Sequence, residues 1–209
     1  IIPNDIDVSA ATNFSWFDYN AVSPVQDQTN HCMSGYVFAA VAAIESQMKM
    51  NNMGYKKLSE QEVLDCMPYG CMGGDMESAF NFSSKYLGIA AAKEYPYVGY
   101  VKGKCEDAAS RRAVVNSTVK QINRGKLSPE LIHTAGPVGL DMSVYENFLS
   151  YKSGIYSNVS GRALFVHSVL IIGYGWDKNN QLFYIGKNSW VSDVCDILLQ
   201  FVILFSSYS

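Results

Sequence analysis

From Val37 to Ile44 the chain reads VFAAVAAI, a run with no polar face. Good helix formers dominate it, and polar side chains return only at Glu45, Ser46 and Gln47. A helix that is apolar all round belongs in the middle of a core. Ser34 stands where an N-cap is wanted. The pattern therefore predicts a buried helix whose bare N–H groups and positive dipole end point at whatever lies near Gly35 and Tyr36. The polar stretch before it, Gln28-Thr29-Asn30-His31-Cys32-Met33, reads as a loop at a site.

The rest of the chain alternates in kind. Asn51-Asn52-Met53-Gly54 stops the central helix and turns the chain. Leu58–Cys66 (LSEQEVLDC) predicts a short helix, with Ser59 and Glu62 spaced as a capping box. Met76–Tyr86 has the period of an amphipathic helix, whereas residues 106–135 are polar and mixed, without repeat or low-complexity tract. Val166–Gly175 (VHSVLIIGYG) predicts a buried strand, with Leu182–Asn188 as its hairpin partner across Asp177–Gln181. Residues 1–27 read as an extended, aromatic-rich segment. The apolar run Ile197–Phe205 falls well short of the roughly 20 residues a spanning helix needs, so it reads as a buried strand or helix and no membrane partner is expected.

Composition narrows the function classes. With 209 residues, 48% of them apolar, the chain can bury a core in one or two lobes. A net charge of −3 without any Lys/Arg cluster gives no footprint for nucleic acid. The opening IIPNDIDVSAATNFSW reads as the start of a processed domain rather than a signal peptide. Asn-x-Ser/Thr sequons at Asn13, Asn81, Asn116 and Asn158, together with five cysteines, favour the secretory pathway and a glycoprotein that is secreted or lysosomal/vacuolar.

Several stretches carry a more specific signal. Gln28 to Phe38 (QTNHCMSGYVF) resembles the active-site segment of the papain and cathepsin L family, Gln-Gly-x-Cys-Gly-Ser-Cys-Trp-Ala-Phe, one residue longer between Gln28 and Cys32. Leu58–Cys66 is similar to the family's Leu-Ser-Glu-Gln-Glu-Leu-Val-Asp-Cys, and Gly70-Cys71-Met72-Gly73-Gly74 to its Gly-Cys-x-Gly-Gly. Tyr95-Pro96-Tyr97, Gly136-Pro137-Val138 and Phe148–Tyr156 fit further family landmarks. His167 lies in a stretch like His-Ala-Val-x-x-Val-Gly-Tyr-Gly, and Asn188 lies in Lys-Asn-Ser-Trp. The resemblance covers about residues 14–190 and fails beyond, where the family's second tryptophan and further cysteine pattern are missing and Cys195 is left over.

The resemblance implies an α+β, papain-like two-lobe fold with a cleft between the lobes. A helical lobe of residues ~20–117 and a β-rich, barrel-like lobe of ~118–209 plus the N-terminal segment would make one peptidase domain over 1–209, with the lobe boundary near 115–120. It further implies disulfides Cys32–Cys71 and Cys66–Cys105. Gln28 falls on the oxyanion glutamine, His167 on the base and Asn188 on its orienter, roughly 130–150 residues past the nucleophile position. Gly73, Gly74, Met76 and Trp190 would line the substrate. Glycines are wanted at 73 and 74 because a peptide pairs with that backbone and a Cβ would block it. His31 and His133 have no such context and read as surface residues.

One departure decides the functional expectation. Gly35 stands on the nucleophilic cysteine. Phe38 keeps the family's three-residue offset from that position and Tyr36 replaces the aromatic directly after it, so Cys32 is the structural cysteine. Ser34 is one residue off, and its hydroxyl lacks a thiol's acidity. The expectation is an inactive homologue that binds peptide segments or cystatin-type inhibitors as a monomer, with no metal and no cofactor. An active endopeptidase, should residue 35 be an altered position, and a structural or storage glycoprotein are the alternatives.

Overall fold

The computed structural model describes residues 13–105, 126–157 and 159–190, and the backbone of 200–203. Among the described residues, four α-helices and six strands run in the order β1 (Phe14–Ser15), α1 (Gly35–Met50), α2 (Glu60–Asp65), α3 (Met76–Lys85), α4 (Pro129–Ala135), β2 (Val138–Tyr145), β3 (Ile155–Tyr156), β4 (Ala163–Trp176), β5 (Leu182–Lys187) and β6 (Gln200–Ile203).

Two hydrophobic cores lie on either side of α1. Tyr36, Val37, Ala40, Val41, Ile44 and Met48 pack with α2, α3, Leu58 and Ile89. Ala42 and Ala43 join the second core, made with Phe14, Trp16, Ile132 and the inner faces of β2 and β4. This is why the helix carries no polar face over its first turns. Glu45 and Ser46, where polar residues return, are buried as well. Ser46 Oγ donates to Ala42 O at 2.8 Å. Glu45 accepts from Leu58 N at 2.8 Å and pairs with Lys57 Nζ at 3.1 Å, and Lys57 also holds Glu60. Buried carboxylates require such partners.

The capping box is only half made. Ser59 Oγ accepts from Glu62 N at 2.9 Å, but the Glu62 carboxylate takes the N–H of Ala90 instead of returning to residue 59, whose own N–H goes to Ala90 O. Disulfides Cys32–Cys71 and Cys66–Cys105 tie the helical side together. The helix α4 lies in a stretch read only as polar and mixed. Its start is nonetheless written locally, with Ser128 accepting from Leu131 N and Pro129 in the first turn. That helix also corrects the expectation for His133. It is buried, edge-on to Phe14 at 5.0 Å and stacked near Trp16 at 6.3 Å, because its helix turns that face inward. The lobe boundary expected near 115–120 lies outside the described residues.

β4 is the spine of the sheet. It pairs antiparallel with β2 along its first part, with β1 on Gly173–Tyr174, and with β5 from Leu170 to Trp176. An irregularity between Ile171 and Gly173 frees the carbonyl of Ile172 to accept from Trp16 N at 2.9 Å. The Asp177–Gln181 turn is closed by Asp177 N to Gln181 O and by Asp177 Oδ1 accepting from Asn179 N and Gln181 N. β5 also pairs with β6, so part of the apolar C-terminal run is a strand, as expected. No helix among the described residues is long and apolar enough to cross a membrane.

Gly173 is where the N-terminal segment meets the sheet. A Cβ there would lie 2.2 Å from Phe14 O and 2.9 Å from Ser15 Cα, both rigid backbone. Gly173→Ala should therefore break the β1 contact and destabilise the protein by about 2–3 kcal/mol. Urea unfolding of the two proteins side by side checks this; an unchanged midpoint would contradict it.

Candidate functional site

Four elements converge on the N-terminus of α1. Gly35 opens the helix, His167 projects from β4, Asn188 and Ser189 follow β5, and Gln28 comes from the leading loop. Asn188 Oδ1 accepts from Ser189 N at 2.8 Å, which fixes the oxygen end of that amide. The same oxygen lies 2.8 Å from His167 Nε2, so Nε2 carries the proton and Nδ1 is the free base in the neutral ring. Trp190 stacks on the imidazole with centroids 4.5 Å apart. His167 is 5% exposed, and its pKa is lowered from 6.5 by that burial, while the Asn188 hydrogen bond and Asp141 pull it back up.

Gln28 is locked in place. Its backbone N donates to Ser189 O at 2.9 Å, its Oε1 accepts from Ser189 Oγ at 2.6 Å, and its Nε2 donates to Cys32 O at 3.1 Å. Tyr97 hydroxyl donates to Gln28 O and lies 2.8 Å from Ser34 Oγ. Ser34 thus caps α1 by position, but its side chain makes no cap bond. The loop turns at Thr29, which sits at φ +66 with its N–H on Asp27 Oδ1.

Position 35 is in contact with the base. A Cβ built on Gly35 would lie 2.5 Å from His167 Cε1, 2.6 Å from Nδ1 and 3.1 Å from Gln28 Oε1. The ring edge fills the space that a side chain at residue 35 would use. The described cysteines are all oxidised in the two disulfides, so none is a thiolate; Cys195 lies outside the described residues.

Of the other expected residues, Gly73 takes φ +94 with open space where a Cβ would stand, and Gly74 lies against the Tyr36 ring. Tyr36 hydroxyl donates to Gly70 O at 3.0 Å, so the residue after Gly35 props up the glycine loop. Met76 stands apart from this cluster, its Sδ only 2.6 Å from where a Cβ on Gly139 of β2 would be. Asn13 and Asn81 are exposed, whereas Asn116 and Asn158 lie outside the described residues. Among the described residues, no group of three or more His, Cys, Asp or Glu could hold a metal.

Sequence reasoning passed over three residues. Ser189 sits inside the Asn-Ser-Trp motif, and its offset from Asn188 was the available signal. Tyr97 lay in the Tyr-Pro-Tyr landmark. Asp141, which accepts from Ser168 Oγ at 2.5 Å and acts on the imidazole, had none, because only the β2–β4 register brings it there.

Residues 10–196 match the papain family cysteine proteases. The chain belongs to that family. Fruit bromelain of Ananas comosus is 33% identical over 192 residues, covering 90% of this chain and 54% of that protein; ananain, from the same plant, is also 33% identical over 90% of the chain. The chain spans about half the length of these curated relatives. Among solved structures, bromelain from Ananas comosus in complex with the E64 inhibitor superposes with a TM-score of 0.81 at 32% identity, over 94% of this chain and 91% of that one. Digestive procathepsin L2 of Tenebrio molitor gives 0.81 at 32% identity, over 99% of this chain and 72% of that one. The papain-like, two-lobe α+β fold follows from this likeness. In this papain-family chain the two cores flank α1, and the cluster of His167, Asn188, Gln28 and Gly35 lies at the helix end.

The lowered pKa of His167 has a sign that can be measured. The folded state binds the proton less tightly than the unfolded chain, whose imidazole titrates near 6.5. Its contribution to stability is therefore intact above pH ~6.5 and is lost as pH falls towards the lowered folded value. Denaturant unfolding between pH 4.5 and 7 should show this loss in the wild type, and a smaller one in His167→Gln. Equal slopes in both proteins would contradict it.

Proposed function

We propose that this chain is a papain-family homologue that binds peptide segments, or the inhibitory loops of protease inhibitors, without cutting them. The single observation carrying this reading is Gly35 at the helix end, with the His167 imidazole edge against it. Thiol-protease chemistry needs a thiolate, a base that later protonates the leaving amine, an orienter and an oxyanion donor. The His167–Asn188 hydrogen bond and the Ser189–Gln28 contact support roles as base, orienter and amide; residue 35 carries no group that could form an acyl-enzyme. What the remaining residues can do is bind. Gly73 offers an unobstructed backbone to an extended peptide, and Trp190 an apolar wall beside the imidazole.

The two disulfides and the exposed sequons at Asn13 and Asn81 support a glycoprotein of the secretory pathway, secreted or lysosomal/vacuolar. A protein using the fold only as a stapled body for storage or structure would bind no peptide in the cleft. An active endopeptidase would require a thiol at residue 35.

The test is a dipeptidyl fluorogenic substrate offered to the wild type and to Gly35→Cys. The wild type should be silent. The variant should show thiol-dependent, alkylation-sensitive cleavage at least about tenfold above it, limited because the imidazole must swing off residue 35 before a thiol fits. Thiol-dependent cleavage by the wild type would overturn the reading.

A further inference from the structure

The glycine loop is framed by sulfur. Cys32 and Cys71 are bridged, and the N–H of Met33 donates to Cys71 O at 2.9 Å, which sets Met33 alongside Met72. Both residues are open to solvent, Met33 at 56% and Met72 at 79% exposure. Met72 is followed directly by Gly73, with its φ of +94 and open space where a Cβ would stand. The other methionines lack either the exposure or the place. Met48 and Met142 are buried, and Met50, Met67 and Met76 are half-buried. Met53 is 58% exposed, but it follows the far end of α1, roughly 24 Å along a 16-residue helix from Gly35. Since the four described cysteines are spent in disulfides, the sulfurs that an oxidant can attack at the loop are these two thioethers.

We propose that Met33 and Met72 form a modification site for hydroperoxides, and that their oxidation to sulfoxides loosens the hold of the glycine loop on a peptide. The inference rests on the peptide-binding reading above and adds its regulation. In each step the peroxide passes one oxygen atom to the sulfur. The O–O bond breaks, an S–O bond forms, the sulfur is oxidised by two electrons, and the peroxide leaves as water or an alcohol. The peroxide has to reach the sulfur, so Met33 and Met72 react well before Met48 and Met142. The product has different surface chemistry. An extended peptide on the Gly73 backbone lays its side chains over soft, polarisable thioethers. A sulfoxide oxygen is a hydrogen-bond acceptor that holds water, and covering it without supplying a donor costs binding free energy. Methionine sulfoxide reductases, one for each epimer, reverse the step.

The experiment treats the full chain with hydrogen peroxide, maps the sulfoxides by peptide mass spectrometry, and follows anisotropy of a fluorescein-labelled, C-terminally amidated randomised tetrapeptide pool. Met33 and Met72 should oxidise ahead of Met48 and Met142, and the pool should then bind at least about fivefold more weakly. Treatment with both reductases should restore binding in the wild type, a measurement that needs no variant. A Met33→Leu/Met72→Leu protein should bind equally before and after peroxide, whereas Met53→Leu should respond as the wild type does. Undiminished binding by protein carrying both sulfoxides would overturn the inference and leave the peptide-binding reading standing, as would equal loss in the double variant. Absence of binding before any peroxide is added would overturn both.

Discussion

A helix that is apolar on every side has to be wrapped, and the demand made by α1 shapes the rest of the molecule. One hydrophobic core cannot cover a cylinder about 10 Å across, so the chain supplies two, helical on one flank and sheet-based on the other. The N-terminus of the wrapped helix emerges between them. A site at that point is a consequence of the packing: both flanks end there, and each contributes side chains that the other lacks. His167 and Asn188 come from the sheet side, the glycine loop from the helical side. The leading loop brings Gln28 across to Ser189.

The cluster at the end of α1 is a hydrogen-bonded frame. Asn188 orients the imidazole, Trp190 covers it, and Ser189 clamps Gln28. These contacts stabilise the fold, since Asn188 and Gln28 are buried polar groups that would be costly to leave unpaired. Gly35 adds no side chain to that frame, and the imidazole edge lies where a Cβ would stand.

The sequence made much of this readable. The unbroken apolar run Val37–Ile44 announced α1, the apolar runs further on announced β4 and β5, and the resemblance of the motifs around Gln28, Gly35, His167 and Asn188 named the cluster. What stayed hidden depended on register and on burial. The helix α4 is a single short element whose burial comes from Phe14 and Trp16, far away in the chain, and so His133 looked like a surface residue. Asp141 reaches the imidazole only through the pairing of β2 with β4. Glu45 marked the end of the apolar run, yet it is buried, on Lys57 and the Leu58 N–H arriving from a different segment. Local patterns report period and punctuation; they do not report which distant group will neutralise a charge.

The two disulfides sit on one side of the molecule. Cys32, Cys71, Cys66 and Cys105 all belong to the helical flank, each bridge closing a loop of 39 residues, while the described part of the sheet is held by hydrogen bonds and packing alone. In the chain-entropy picture each such bridge removes about 4 kcal/mol of freedom from the unfolded chain. One wall of the cleft therefore depends on the redox state of its surroundings and the other does not. In a reducing compartment the glycine loop, tethered through Cys71, and the loop carrying Gln28, tethered through Cys32, would slacken against a sheet that stays in register. The imidazole would keep its Asn188 partner while the glycine loop loosened. Exposure to a reductant would thus act on one flank of α1 and leave the other alone.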